Sequence, residues 1–252
     1  IKPNWAVDFD LLPKGAKPWL RQVKSRLSGE LVAFIKQLRW SQNSAGGHRP
    51  YAVVGTYWST DGKEWNHFPS EFSVNISQPR PIEMSGASRG KMAEIVNKGA
   101  HEPIAHDLMR EAGELMSRTP RSALLVAFAA LETGIKIQLV RMIPDASALI
   151  DKMPSPPLVT LLQEVLPKTI AAKGLPAAHF PLKKDAKDYL RKWVTQRNQV
   201  THGLKHSVDA NSVEEFIRFA KDILYLLDDL DGQNWALTHL ESEFWTIDES
   251  EK

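Results

Sequence analysis

The chain has 252 residues, 42% of them hydrophobic and 25% charged, with a net charge of +2 and no cysteine. Such proportions suit one large globular domain or two small ones and do not suit a disordered or fibrous chain. The lack of cysteine excludes disulfides, thiolate zinc sites and cysteine nucleophiles, and the small net charge excludes a polycationic nucleic-acid coat.

Residues 1–90 read as a small α/β accessory module. Pro18 to Trp40 is predicted helical, with Leu20, Val23, Leu27, Leu31, Phe34, Ile35 and Leu38 at three- and four-residue steps and Gly29 weakening the middle. Ser41 to Gly47 is a loop. Tyr51 to Trp58 reads as a strand, Thr60-Asp61-Gly62-Lys63 as a tight turn, and Glu64 to Phe68 as the returning strand of a short antiparallel hairpin. Phe72 to Ile76 alternates as a third strand would. Ser77 to Lys91, with two prolines and two glycines, is the expected linker. No internal repeat or low-complexity tract is present.

Residues 91–252 read as an all-α bundle, so the fold class expected for the whole chain is α+β. Ile104 to Ser117 is one helix. Thr119-Pro120 supplies an N-cap with proline at the first position, opening a helix from Arg121 to Met142 that is apolar on most faces and expected to be central. Leu158 to Leu166 is shorter and bracketed by Pro156, Pro157 and Pro167. Lys183 to Gly203 forms the next helix. Asn211 to Leu230 forms the last, with Ser212 and Glu215 as a capping box and Val213, Phe216, Ile217, Ala220, Ile223, Leu224 and Leu227 as its stripe. Trp235 to Ile247 is an aromatic-rich, acidic tail expected to dock on the bundle.

Two charges interrupt apolar stripes. On the Lys183–Gly203 helix, Leu190 and Arg197 lie two turns apart on one face, and Trp193 is four residues from Arg197. An arginine there should have a partner or a task, because an unpaired buried guanidinium is costly. Asn198 and His202 are four apart on the neighbouring face, so a permanent cation, an amide and an imidazole lie close together. Glu132 shares a face with Leu125, Phe128 and Leu139. Two readings stay open for it: partner of Arg197, or stripe edge.

The run Arg197-Asn198-Gln199-Val200-Thr201-His202 resembles the motif of the HEPN family, an arginine four to six residues before a histidine with a polar residue directly after the arginine. The resemblance spans roughly Gly99 to Leu230. It implies a small helical bundle whose two protomers meet at the motif. It also implies a metal-independent endoribonuclease of toxin or antiviral-defence type, with RNA as substrate, no cofactor, and an antitoxin or other regulatory protein as a further partner. Arg197, Asn198 and His202 would be catalytic, with Glu132 and His206 in support. Some family members keep the fold without cleavage, as RNA-, nucleotide- or partner-binding modules, and that alternative is carried forward.

Other constellations carry less. His101 and His106 are five apart with Pro103 between them, the wrong spacing for a zinc-protease helix. His202 and His206 have metal-ligand spacing, but Gly203 signals the helix end and no third ligand is evident, so no metal is expected. Gly86 to Met92 imitates a phosphate loop but is one residue short and lacks Ser or Thr after Lys91. Trp40, Trp58, Trp65, Tyr51 and Tyr57 fit either base stacking or the core of a small sheet. Residues 1–94 carry 13 Lys/Arg against 8 Asp/Glu, while residues 228–252 carry one lysine against 8 Asp/Glu, so an acidic tail masks a basic body suited to an anionic partner. No window holds 18 consecutive apolar residues, and Ile1 to Trp5 shows no apolar leader, so no membrane association and a cytoplasmic location are expected.

Overall fold

Ala16–Ser41 forms the first helix, α1, in a computed structural model that describes residues 13–44, 57–59, 61–64, 66–67, 86–97, 99–153, 156–176 and 179–245. Contacts divide the chain into two units, one of residues 1–38 with 49–100 and the other of residues 39–48 with 101–252. The end of α1 therefore belongs with the bundle rather than with the module drawn over 1–90. The cause is Trp40, buried at the far end of α1, whose indole N–H donates to Asp228 at 2.7 Å. Trp40 is thus neither a sheet residue nor a base-stacking platform. The side chains of Tyr51, Tyr57, Trp58 and Trp65 lie outside the described residues.

In the first unit, Leu27, Leu31 and Phe34 of the expected α1 stripe are 51%, 43% and 42% exposed. Gln37, on a different face, is buried and donates to the Ala100 carbonyl at 2.7 Å. Tyr57–Trp58 (β1) and Asn66–His67 (β2) pair antiparallel, Tyr57 opposite His67 and Trp58 opposite Asn66. Between them Asp61 Oδ1 accepts from the Lys63 and Glu64 amides at 2.8 and 3.0 Å, and Gly62 takes a left-handed φ of 72°. The α+β class is corrected here. The described residues are overwhelmingly helical, and two paired strands of two residues each make no sheet layer. Tyr51 to Thr56 and the strand expected over Phe72–Ile76 lie outside the described residues. Gly86–Asn97 is a helix, α2, so the last part of the expected linker is helical instead.

The second unit is a helical bundle. Ile104–Leu115 (α3) and Pro120–Met142 (α4) form a helical hairpin. Thr119 stands at the N-cap of α4 as expected, yet its hydroxyl donates back to the Leu115 carbonyl instead of capping. After the short helix Ser147–Asp151 (α5), the chain runs from Leu158–Thr160 (α6) through a π-helical turn at Leu161–Val165 into Leu166–Ala172 (α7). Pro167 was expected to end this segment. The wider π turn absorbs it, because a proline lacks the N–H for an i−4 bond and crowds that carbonyl.

Lys184–Thr201 (α8) and Ala210–Leu230 (α9) complete the bundle, and a 3₁₀ segment, Asn234–His239, follows. The cap of α9 is Asp209, not Ser212: its carboxylate accepts from both the backbone N–H and the hydroxyl of Ser212, each at 2.8 Å. Gly134 lets α9 approach α4 closely, since a Cβ there would lie 2.5 Å from Leu224 Cδ2. The tail docks through Asp222, fully buried on α9, which accepts from the amides of Glu241 and Ser242 at 3.0 and 2.8 Å. Phe244 and Trp245 then pack on Phe219.

Although no 18-residue run is wholly apolar, Pro120–Met142 is long and apolar enough to cross a membrane by length and composition, with a mean hydropathy of 1.7. Within the bundle it is the central helix. Ala123, Leu124, Ala127, Ala130, Leu131 and Ile135 are fully buried on several sides of it.

Candidate functional site

The site is organised by an aromatic stack. Trp193 on α8 stacks on Phe216 of α9 at 5.0 Å between ring centroids, and Phe216 stacks on Phe128 of α4 at 4.7 Å. Burial of these rings fixes the rotation of α8 about its axis. Arg197, one turn beyond Trp193, is thereby carried over the Phe128 face, its Cζ 5.9 Å from the ring centroid.

Arg197 is not engulfed. Its side chain is 23% exposed, at the edge of the stripe. Nη2 donates to Glu132 Oε1 at 2.9 Å, and Nη1 donates to Asn198 Oδ1 at 3.2 Å. The pair bridges α4 and α8 across 65 positions of sequence. Burial pushes the Glu132 carboxyl above its usual range, and the neighbouring charges of Arg197 and Lys136 only partly oppose that rise.

His202 does not stand inside the helix. It is the C-cap of α8, followed by Gly203 with φ of 71°. The Gly203 amide donates to Val200 O at 3.2 Å and the Leu204 amide to Gln199 O at 2.8 Å, the paired bonds of a Schellman ending. Asn198, His202 and His206 are exposed, and Leu204, expected in the stripe, is 78% exposed. The sequence reading placed Asn198 and His202 on one helical face. The helix stop instead leaves the imidazole at the rim, at the negative end of the α8 dipole.

Two cations at this helix end escaped the motif search. Arg121, on the first turn of α4, donates through Nη2 to the Val200 carbonyl at 3.1 Å. Lys205 donates to Gln196 Oε1 at 3.2 Å. Their placement offsets the negative end of the helix dipole, which would otherwise repel an anion approaching His202. No local pattern signals Arg121, because the contact joins residues 79 apart.

Glu132, Arg197 and Asn198 are therefore brought together, with His202 at the following helix end, while His206 lies beyond it on the exposed loop. Among the described residues no group of three or more His, Asp or Glu is arranged to hold a metal ion. His101 is exposed, whereas His106 is buried against Asp228 at 2.8 Å, so the two histidines do not converge. What fold and site define is a helical bundle with a polar Glu–Arg–Asn cluster and an exposed histidine at one helix end. No family model matches this chain, and no curated protein or solved structure matches it either.

Proposed function

We propose that this chain is a HEPN-type endoribonuclease that cleaves RNA without a metal, acting as a homodimer in the cytoplasm in a toxin or antiviral-defence role. The observation that carries the reading is the Arg197 guanidinium, held over Phe128 by Glu132 and Asn198, with an exposed imidazole five residues on at the helix end. A preorganised cation of that kind stabilises charge developing on a phosphorane. In the reaction the RNA 2′-hydroxyl attacks the adjacent phosphorus. The P–O2′ bond forms, the P–O5′ bond breaks, and a 2′,3′-cyclic phosphate and a 5′-hydroxyl result. His202 takes the 2′ proton or gives one to the leaving 5′ oxygen. One chain offers one such imidazole where two proton transfers are needed, so a two-fold dimer with facing motifs supplies the second. An antitoxin or regulatory protein would cover the exposed helix end.

The test is incubation of purified protein with RNA in EDTA, with His202→Ala beside it. Cyclic-phosphate ends produced by the wild type and lost in the variant support the reading. Cleavage that persists in His202→Ala refutes the site. The Glu132–Arg197 ion pair itself favours a second reading, a non-catalytic module that binds RNA, a nucleotide or a protein, because a carboxylate on Arg197 lowers its net field on a phosphate. Intact but shifted RNA in the same assay identifies that outcome.

A further inference from the structure

Between residues 183 and 205, α8 and its flanks carry seven Lys and Arg against two acids, Asp185 and Asp188. The next helix, α9, has the opposite balance, two cations against five Asp and Glu. Three of the α8 cations share one face. At 3.6 residues per turn, Lys184, Lys187, Arg191 and Asn198 fall within an arc of about 60° and extend over about 21 Å of helix. Lys184, Arg191 and Asn198 are exposed, and Lys187 is half-buried. The row ends at Asn198, whose side-chain oxygen accepts from Arg197, one turn before His202.

These charges are not cancelled locally. Lys184, Lys187 and Lys192 make no ion pair among the described residues. Arg191 meets Asp188 at 3.5 Å, but the two side chains are 60% and 49% exposed, so water screens that pair. Glu132, reaching in from α4, is held by Arg197. Glu215 on α9 and Glu243 in the tail bear on Tyr189, which lies on the opposite side of α8 from Asn198. The face also lacks apolar anchors. Among the described residues none of the exposed large hydrophobic side chains is on α8, and the nearest, Leu204, follows its end. A protein hot spot or a bilayer would need such an anchor.

We infer that the exposed face of α8 is the track for the single-stranded RNA on one side of the scissile bond, its phosphates on Arg191, Lys187 and Lys184 in turn as the strand leaves the Arg197–His202 end. The inference rests on the ribonuclease reading of that end. A polar row of cations at steps of three and four residues suits a polymer of regularly spaced anions. Contacts to phosphate position a strand without reading its bases, so this side of the substrate is taken whatever its sequence.

The test uses the full chain with His202→Ala, a twelve-nucleotide oligo(U) and fluorescence anisotropy at about 50 to 200 mM salt. Adding Lys184→Gln and Lys187→Gln should weaken binding about tenfold and make the log–log salt slope shallower by about 1.4, from roughly 0.7 per lost phosphate contact. Glutamine keeps the helix propensity of lysine at these positions, so the fold survives. The control removes the same charge elsewhere: Arg218→Gln with Lys221→Gln, on α9 near Glu214 and Glu241, should leave the slope as it was. In the His202-intact protein, the α8 double variant should lower the ratio of kcat/KM on the twelve-mer to that on a dinucleotide about tenfold. Affinity, slope and ratio no different from the control overturn the track. An oligoglutamate of equal length that displaces oligo(U) at equal concentration also overturns it, by assigning the face to an acidic protein segment. A wild type that cuts neither substrate overturns the ribonuclease reading, which is a separate result.

Discussion

Arg197 and Glu132, on different helices, are joined by a 2.9 Å hydrogen bond above the Phe128 ring, and both side chains remain partly open to solvent. That makes the pair both a strut between α4 and α8 and a preset cation. The two roles separate under mutation. Arg197→Ala strands a half-buried carboxylate and should cost about 1–2 kcal/mol, below the cost at a fully buried pair because solvent screens this one. Arg197→Ala with Glu132→Gln should recover most of that loss in urea unfolding while RNA cleavage stays absent.

His202→Ala should abolish cleavage and leave the thermal midpoint within about 2 °C of wild type. Its side chain is exposed, and the helix ending depends on backbone bonds and on Gly203. Gly203→Val, by contrast, forces a β-branched residue into left-handed φ and should lower the midpoint clearly in the same thermal scan.

Asp222 should tie stability to pH. Burial holds its carboxyl above the usual range, although the tail amides pull it down. A raised carboxyl binds its proton more tightly in the folded chain. Its contribution to stability is therefore complete below about pH 4 and is lost as pH rises through the raised value. Asp222→Asn should remove that slope from a urea series against pH. It should also loosen the Leu240–Trp245 segment, because the two amides bond different carboxylate oxygens and the Asn NH2 would face one of them as donor against donor. Limited proteolysis should then cut near Ser242 faster than in wild type.

Gly134→Val should destabilise by about 1–3 kcal/mol, through overpacking where α4 meets Leu224 and Ala105. Urea unfolding measures it. A neutral result would mean that α9 can move off α4 without cost.

The sequence by itself determined the four long helices of the bundle (α3, α4, α8 and α9), the stop after α8 and the pairing candidates Arg197 and Glu132. Apolar periodicity, glycine and proline are local signals that act within one element. It misjudged the fold class, since the described part of the first ninety residues is largely helix, with α2 where a linker was expected, and the short ladder at Tyr57–Trp58 and Asn66–His67 is too small to make a sheet layer. Only tertiary structure decided that Asp209 rather than Ser212 caps α9, that Trp40 closes onto Asp228, and that Arg121 reaches Val200. Each of the last two joins residues far apart in the chain, and no periodicity encodes which distant partner satisfies a buried polar group.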